Sequence, residues 1–300
     1  MKPCSRRALL LAGAGAALAG GVCGQDRPLR IVASFSILAD LLRQIVPPQA
    51  VVESLVGPEG DAHAYSPTPA DVRRLAGADL VVINGLAFEG WIERLVAASG
   101  YRGELLVASA GIVPLQHGPS PDPHAWHDLA QARRYVGTLA AALQRLRPAQ
   151  ASSVTARSEA YLAQIDALER RTRASLAAIP ESGRRVISSH GGFSYFGAAY
   201  GLEFISPLGW RNDQEPSAAA VARLIGLIRK LEVRAVFVDS LKDTRLMQQI
   251  ARDSGAVVGG RLHGDALTRS GGEADSYLHL FEHNVTTLAR ALAAVPITRG

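Results

Sequence analysis

Short apolar runs alternate with longer segments whose apolar positions recur at helical spacing, the pattern of a mainly parallel sheet with helices packed on it. In the first half, strands are expected at 29–35, 51–56, 79–84 and 104–108, with helices at 37–46, 69–76 and 91–98 between them. Thr68-Pro69 marks a helix start, because a capping hydroxyl followed by proline satisfies a donor and presets the backbone. The second half repeats the grammar, with strands near 185–189, 203–207, 233–239 and 256–259 and helices near 193–200, 217–231, 244–254 and 274–293. No residue-level repeat accompanies this similarity of the two halves.

Between the halves, residues 149–178 contain no internal proline or glycine, and Val154, Tyr161, Ile165, Leu168, Thr172 and Leu176 fall on one helical stripe. At 1.5 Å per residue such a helix runs on the order of 40 Å, long enough to act as a stiff spine across two lobes. Pro180 and Gly183 end it, and Pro148 separates it from an amphipathic helix beginning near Asp128. The expected architecture is therefore α/β: a first lobe over 25–148, a linking helix over 149–180 and a second lobe over 181–300.

Residues 1–24 have a different character, with a basic start, an apolar run over 8–19 and small residues after it, the layout of a secretory signal. The run is too short to span a bilayer comfortably. Ser5-Arg6-Arg7 before Ala8-Leu9-Leu10 also resembles a twin-arginine signal, so both export routes stay open. Cleavage is expected after Ala19 or Gly24. Both cysteines, Cys4 and Cys23, fall in this segment, leaving a mature chain with no disulfide in an oxidising compartment. Gly20-Gly21-Val22 is a poor lipoprotein processing site, so a free periplasmic protein is expected in preference to one anchored through Cys23.

Without Lys2, Arg6 and Arg7 the formal charge falls from +5 to +2, so the high isoelectric point says little about partners. No basic run or aromatic-basic interleaving suggests nucleic acid, and no later apolar segment is long enough to cross a membrane. Candidate chemistry lies instead at strand ends. His63 follows the second strand in a Gly/Pro-rich loop, His124 lies in SPDPHAWHD one connection after the fourth, His190 ends the fifth, and Asp265 follows the last. In α/β proteins, positions beyond the carboxyl ends of strands converge on the ligand crevice. Three imidazoles and one carboxylate, two ligands from each half, would make a closed metal site, although their spacing matches no compact finger motif.

The remaining histidines compete for that role. His279 and His283 are four apart on the last helix, a geometry that also binds metal, but their simplest reading is a partly exposed helix face. His127 reads as a helix-start neighbour, His263 is the nearest rival to Asp265, and His117 sits in a short Gly/Pro loop. Asp61 and Asp122, each two residues before a histidine, are candidates to hold its other ring nitrogen. Glu215 reads as a helix-start residue outside the site.

Several ordered segments carry a family resemblance: DAHAYSPTPADVRRLAGADLVVINGLAFEGW, DPHAW, SSHGGFSYFGAAYGLEF, EPSAAAVARLIGLIRKLEVRAVFVDS and GDALTRSGGEADSYLHLFEHN. Over nearly the whole mature chain, the protein resembles the zinc- and manganese-binding solute receptors of bacterial ABC importers (the cluster A-I receptors). The resemblance implies two α/β lobes joined by a long helix, a metal in the interlobe cleft, and ligands at His63, His124, His190 and Asp265. It also implies a periplasmic monomer whose partner is a membrane permease, with a periplasmic metallochaperone as a further candidate. Three departures stand out: residues 111–121 contain only His117 where zinc-receiving members often carry a long histidine-rich loop, Ala62 replaces a proline before the first histidine, and Asp239 stands where glutamate is common.

Zinc favours four-coordinate sites with nitrogen ligands, whereas added carboxylates shift a site towards manganese. Zinc is the expected cargo, with manganese next and iron behind it. The competing class is an exported zinc hydrolase, which would need a metal-bound water and a general base; no H-E-x-x-H motif is present. A receptor for an organic solute would need aromatic platforms and charged clamps; Trp126 and Trp210 are available as platforms, but packing is their simplest role.

Overall fold

A computed structural model describes residues 27–117, 120–206, 217–241 and 244–293. The leader with Cys4 and Cys23, and also Trp210 and Glu215, lie outside the described residues. In the first half, β1 (Arg30–Phe35), α1 (Ser36–Ile45), β2 (Val51–Val56), α2 (Pro69–Ala76), β3 (Leu80–Ile83), α3 (Ile92–Ser99) and β4 (Glu104–Val107) follow the expected alternation. Their sheet has the order β2-β1-β3-β4, every pair parallel. The central strands β1 and β3 are almost wholly buried, as continuous apolar runs covered by helices require.

An antiparallel ribbon, β5 (Gln116–His117) with β6 (Ser120–Pro121), precedes α4 (Leu129–Leu146) and the long α5 (Ala151–Ala177). The second half consists of β7 (Arg185–Ser188), α6 (Ser194–Tyr200), β8 (Glu203–Ile205), α7 (Ala218–Lys230), β9 (Ala235–Asp239), α8 (Thr244–Ser254), β10 (Val257–Leu262) and α9 (Tyr277–Leu292). Its parallel sheet runs β10-β9-β7-β8, the same set of all-parallel pairings built around a central pair of strands. In both sheets the first strand of the half lies in the interior with neighbours on either side, and ligand crevices form outside the carboxyl ends where the strand order reverses.

Two differences from the sequence reading have a visible physical cause, at β10 and at α9. Gly259-Gly260 reads as the end of a strand, yet β10 continues through it with a register shift between Val258 and Gly260. Gly260 has φ of +146°, and a Cβ there would lie 2.5 Å from Thr287 on α9, so glycine lets the last helix lie directly on the strand. α9 begins at Tyr277, not at 274, because the Ser276 side chain accepts from the His279 backbone N–H and caps it there. At α2 the Thr68 hydroxyl bonds Asp71, whose carboxylate also accepts from the Thr68 N–H and the Tyr65 hydroxyl.

The stripe of α5 buries Val154, Tyr161, Ile165, Leu168, Thr172 and Leu176, and Ser158 joins it by donating its hydroxyl back to the Val154 carbonyl at 2.7 Å. α5 packs against α1 and α4 of the first half and against α9 of the second. One hydrophobic core accordingly runs through both halves, from Ile31 and Phe35 to Phe196 and Phe281; a second, smaller cluster lies under α7 and α8. Polar bonds stitch the halves too. Trp126 Nε1 donates to the Gly264 carbonyl (3.0 Å), the Tyr277 hydroxyl to the Trp126 carbonyl (2.6 Å), and the Leu267 N–H to the Ser36 hydroxyl (3.0 Å).

Candidate metal centre

Each of the four residues singled out at strand ends is positioned by its own local scaffold. His63 sits on the loop after β2, where its N–H is held by Asp61 Oδ1 (2.9 Å), the preceding Ala62 carbonyl accepts from Trp91 Nε1 (2.8 Å), and the Phe88 ring meets the imidazole edge-on at 4.5 Å. His124 follows Pro123, whose carbonyl accepts from Asn84 Nδ2 (3.0 Å) at the end of β3. Behind it, Asn84 takes the Tyr135 hydroxyl (2.6 Å), while Glu89 accepts from the Asn84 N–H and from Ser34 at the end of β1. This buried network ties the His124 loop to both central strands; burial raises the pKa of Glu89 against the hydrogen bonds of Ser34, Asn84 and Gly85.

His190 leaves β7 with its carbonyl capped by the Ser188 hydroxyl (2.7 Å), and Ser189 Oγ accepts from the Asp239 N–H (2.7 Å) on neighbouring β9. Gly192 is required by close approach: a Cβ there would lie 2.5 Å from Cε1 of His190 and 3.1 Å from Cδ2 of His124. Gly264 is similar, since its Cβ would meet Asp239 Oδ2 at 2.8 Å. Asp265 follows it into the crevice.

The four side chains meet. His63 Nε2 and His124 Nε2 are 3.1 Å apart. From Asp265, Oδ2 lies 3.5 Å from His63 Nε2 and 3.7 Å from His190 Nε2, while Oδ1 lies 3.5 Å from His124 Nε2. A tetrahedral ion with bonds of about 2.0–2.1 Å needs ligand atoms roughly 3.3–3.4 Å apart, so these edges suit such an ion at their centre. His124, His190 and Asp265 are at most 1% exposed, and of the four only His63, at 9%, reaches the surface.

Electrostatics favour a cation here. Burial works to raise the pKa of Asp265, but the facing rings of His190, His124 and His63 outweigh it and bring the carboxyl down to about 2. Burial likewise opposes charge on His124, yet Asp265, Asp122 and Asp239 prevail and raise its pKa. Neither Asp265 oxygen accepts a hydrogen bond from the described residues. A buried, ionised carboxylate facing three ring nitrogens without a hydrogen bond demands a counter-charge.

Asp122 holds His124 as the sequence suggested, with Oδ1 2.7 Å from ring Nδ1 and 2.9 Å from the backbone nitrogen. Because a carboxylate can only accept, Nδ1 carries a proton, and in the neutral ring the Nε2 lone pair points into the cage. Asp61 acts differently, bonding the backbone of His63. Sequence reasoning missed Asp239 as a neighbour of His190: its Oδ2 faces Nδ1 at 3.8 Å. The available signal was a carboxylate closing a wholly buried strand beside the strand that ends at His190. Trp126 packs against Phe35 and Phe88, and its indole N–H also bridges the halves next to the cage.

His127, His263, His279 and His283 fall outside this group. His127 is fully buried against Trp126 and Phe193, and burial, followed by the charge of His124, lowers its pKa to about 3. His279 pairs with Asp275 at 2.7 Å and His283 turns towards Glu273, so the two do not form the paired face that their spacing allowed.

Comparison with known proteins points the same way. The chain is 31% identical over 287 residues to the manganese-binding lipoprotein MntA of Halalkalibacterium halodurans, covering 95% of each chain. It is 31% identical over 269 residues to the iron-binding protein YfeA of Yersinia pestis, covering 88% of this chain and 86% of that one. Among solved structures, the periplasmic zinc-binding protein TroA of Treponema pallidum superposes with a TM-score of 0.85 at 26% identity, covering 89% of this chain and 100% of that one. A manganese-bound variant of the periplasmic metal-binding protein of Candidatus Liberibacter asiaticus gives 0.83 at 25% identity, over 88% of this chain and 99% of that one. The family model described as zinc-uptake complex component A, periplasmic (ZnuA), matches residues 31–291, and the chain belongs to that family.

Proposed function

We propose that this chain is an exported receptor that captures one divalent transition metal, zinc before others, and presents it to the membrane permease of an ABC importer without performing chemistry on it. His63, His124, His190 and Asp265 are the proposed ligands. The observation that carries the reading is Asp265, whose two buried oxygens face three imidazole nitrogens at 3.5–3.7 Å and take no other hydrogen bond from the described residues. Three imidazoles favour zinc over manganese on intrinsic affinity, and four protein ligands leave no position for a reactive water, against the hydrolase alternative. The names of relatives, which include metal ABC transporter substrate-binding lipoproteins, support the importer partner.

Manganese is the second reading. It is favoured by the disposition of Asp265, since Oδ1 faces His124 while Oδ2 faces His63 and His190, so both oxygens are placed for a harder ion with more oxygen ligands. Relatives named for manganese add weight. For location, the 1–24 leader supports export, and the lipoprotein names of several relatives support retaining Cys23 as an anchoring position beside the free periplasmic form.

The test is thermal. Zinc added to metal-stripped mature protein raises its melting temperature, because the ion binds the folded site and not the unfolded chain; the His63→Ala/His190→Ala protein gives no such shift from its tight site. Competition at matched free ion then ranks zinc against manganese. No shift with any divalent ion overturns the receptor reading, and retention of manganese in the presence of zinc overturns the preference alone.

A further inference from the structure

A second cluster of metal-binding side chains lies outside the cage, on the second half of the molecule. His263 follows β10, Glu273 lies on the loop before α9, and His283 sits nearly two turns into α9; one ligand atom from each lies within 4.8 Å of the others. Glu273 Oε1 is 3.0 Å from His263 Nε2, and Glu273 Oε2 is 3.7 Å from His283 Nδ1. The two rings pack edge to face with centroids 5.0 Å apart. The single carboxylate therefore has one oxygen facing each ring.

Both rings are held in place by the fold. Asn284 clamps the backbone of His263 from both sides, its Oδ1 accepting from the N–H (2.8 Å) and its Nδ2 donating to the carbonyl (2.7 Å). His283 Nε2 is 3.0 Å from the Arg261 carbonyl. A carbonyl can only accept, so Nε2 carries the ring proton and, in the neutral ring, the Nδ1 lone pair faces Glu273. Orientation of a histidine by a backbone acceptor on its far nitrogen is how metal-ligating rings are prepared. The His263–Glu273 hydrogen bond alone would close the loop; the second ring, with Nδ1 facing the other carboxylate oxygen at 3.7 Å, brings a third ligand atom to the same point.

We propose that His263, Glu273 and His283 form a second, exchangeable site for a divalent transition metal of the zinc class. Two imidazoles and one carboxylate suit such an ion and leave a coordination position open. Three features make it the weaker site: fewer protein ligands than the cage, a Glu273 side chain that is 53% exposed, and the cationic Arg261 in the wall of the adjoining cavity. That cavity, of about 380 Å³, is also lined by Glu59 and Asp61 on the loop that carries His63. An ion on the triad would thus sit at the solvent side of the segment that leads to Asp265.

Equilibrium dialysis of the mature protein against buffered free zinc, read by elemental analysis, tests the proposal. Wild type saturates at two equivalents, the second filling at higher free zinc. Glu273→Gln and, separately, His283→Gln saturate at one equivalent and keep the tight one, which also certifies their fold. The His63→Ala/His190→Ala protein keeps one weak equivalent, so failure of the cage and failure of the triad are read independently. Saturation of wild type at one equivalent, or persistence of the second in both triad variants, overturns the proposal.

Discussion

Replacing Asp122 by asparagine isolates the contribution of one charge to the metal centre. The amide oxygen of the new side chain can still accept from the His124 Nδ1–H that Asp122 Oδ1 takes at 2.7 Å, so ring orientation survives while the negative charge is lost. Removal of partners of this kind costs about 10–100-fold in metal affinity, or roughly 1.4–2.7 kcal/mol. Metal-induced stabilisation shrinks by the same free energy, so the zinc-dependent rise in melting temperature should be smaller by about 3–10 °C. The penalty should also depend on pH in a defined direction. Asp122 helps to raise the pKa of His124, so its loss lowers that pKa and relieves competition from protons. The variant should accordingly lag wild type most at alkaline pH, where the ring is neutral in both, and least under mildly acidic conditions. Competition titrations with a chromogenic chelator across that range measure it. Unchanged affinity at alkaline pH, or a penalty that grows on acidification, would refute the role given to Asp122.

Two further outcomes follow from the same geometry. Gly192→Ala places a methyl 2.5 Å from the His190 ring, forcing that ring to shift; zinc affinity should fall by at least ~10-fold while the stripped protein melts close to wild type, and equal affinity in a calorimetric titration would contradict the close-approach argument. In wild type, His124 has a raised pKa, so protons should begin to displace zinc above the ordinary histidine range near ~6.5, with about a tenfold loss of affinity per pH unit for each proton taken up; an affinity that stays flat down to pH ~5 counts against proton competition at this ring.

The sheets and the spine were legible in the chain because both rest on periodicity. A parallel strand buried on both faces, such as β3, is a continuous apolar run, and the stripe of α5 repeats every three or four residues. The convergence of His63, His124, His190 and Asp265 was legible for a topological reason, since residues after parallel strands share one end of a sheet. The details hidden from the sequence depend on contacts across the fold. β10 continues through Gly259-Gly260 because α9 lies on top of it. Asp239 neighbours His190 only because β9 pairs with β7, and His283 turns to Glu273 only once α9 is docked beside β10. Periodicity cannot encode which ends of which elements become neighbours; the pairing order β10-β9-β7-β8 supplies that.

The same contacts constrain how a bound ion could be released. Opening the halves like a hinge would break the Trp126–Gly264, Tyr277–Trp126 and Ser36–Leu267 bonds and divide a core that runs from Ile31 to Phe281. Buried hydrogen bonds contribute about 1 kcal/mol each, and exposing core side chains costs far more, so wide separation of the lobes is the expensive route. Local motion is cheaper. His63 is the one cage residue that reaches solvent, and the loop bearing it lies at the surface, held by the Trp91–Ala62 bond, the Asp61 turn and the edge contact with Phe88. Withdrawing that loop removes one nitrogen while leaving His124, His190 and Asp265 on their strand ends, which converts a closed four-ligand cage into an open three-ligand one. Exchange by withdrawal of His63 would need neither hinge motion nor loss of the core, and Asp61 on the same loop lines a cavity that His263 also lines.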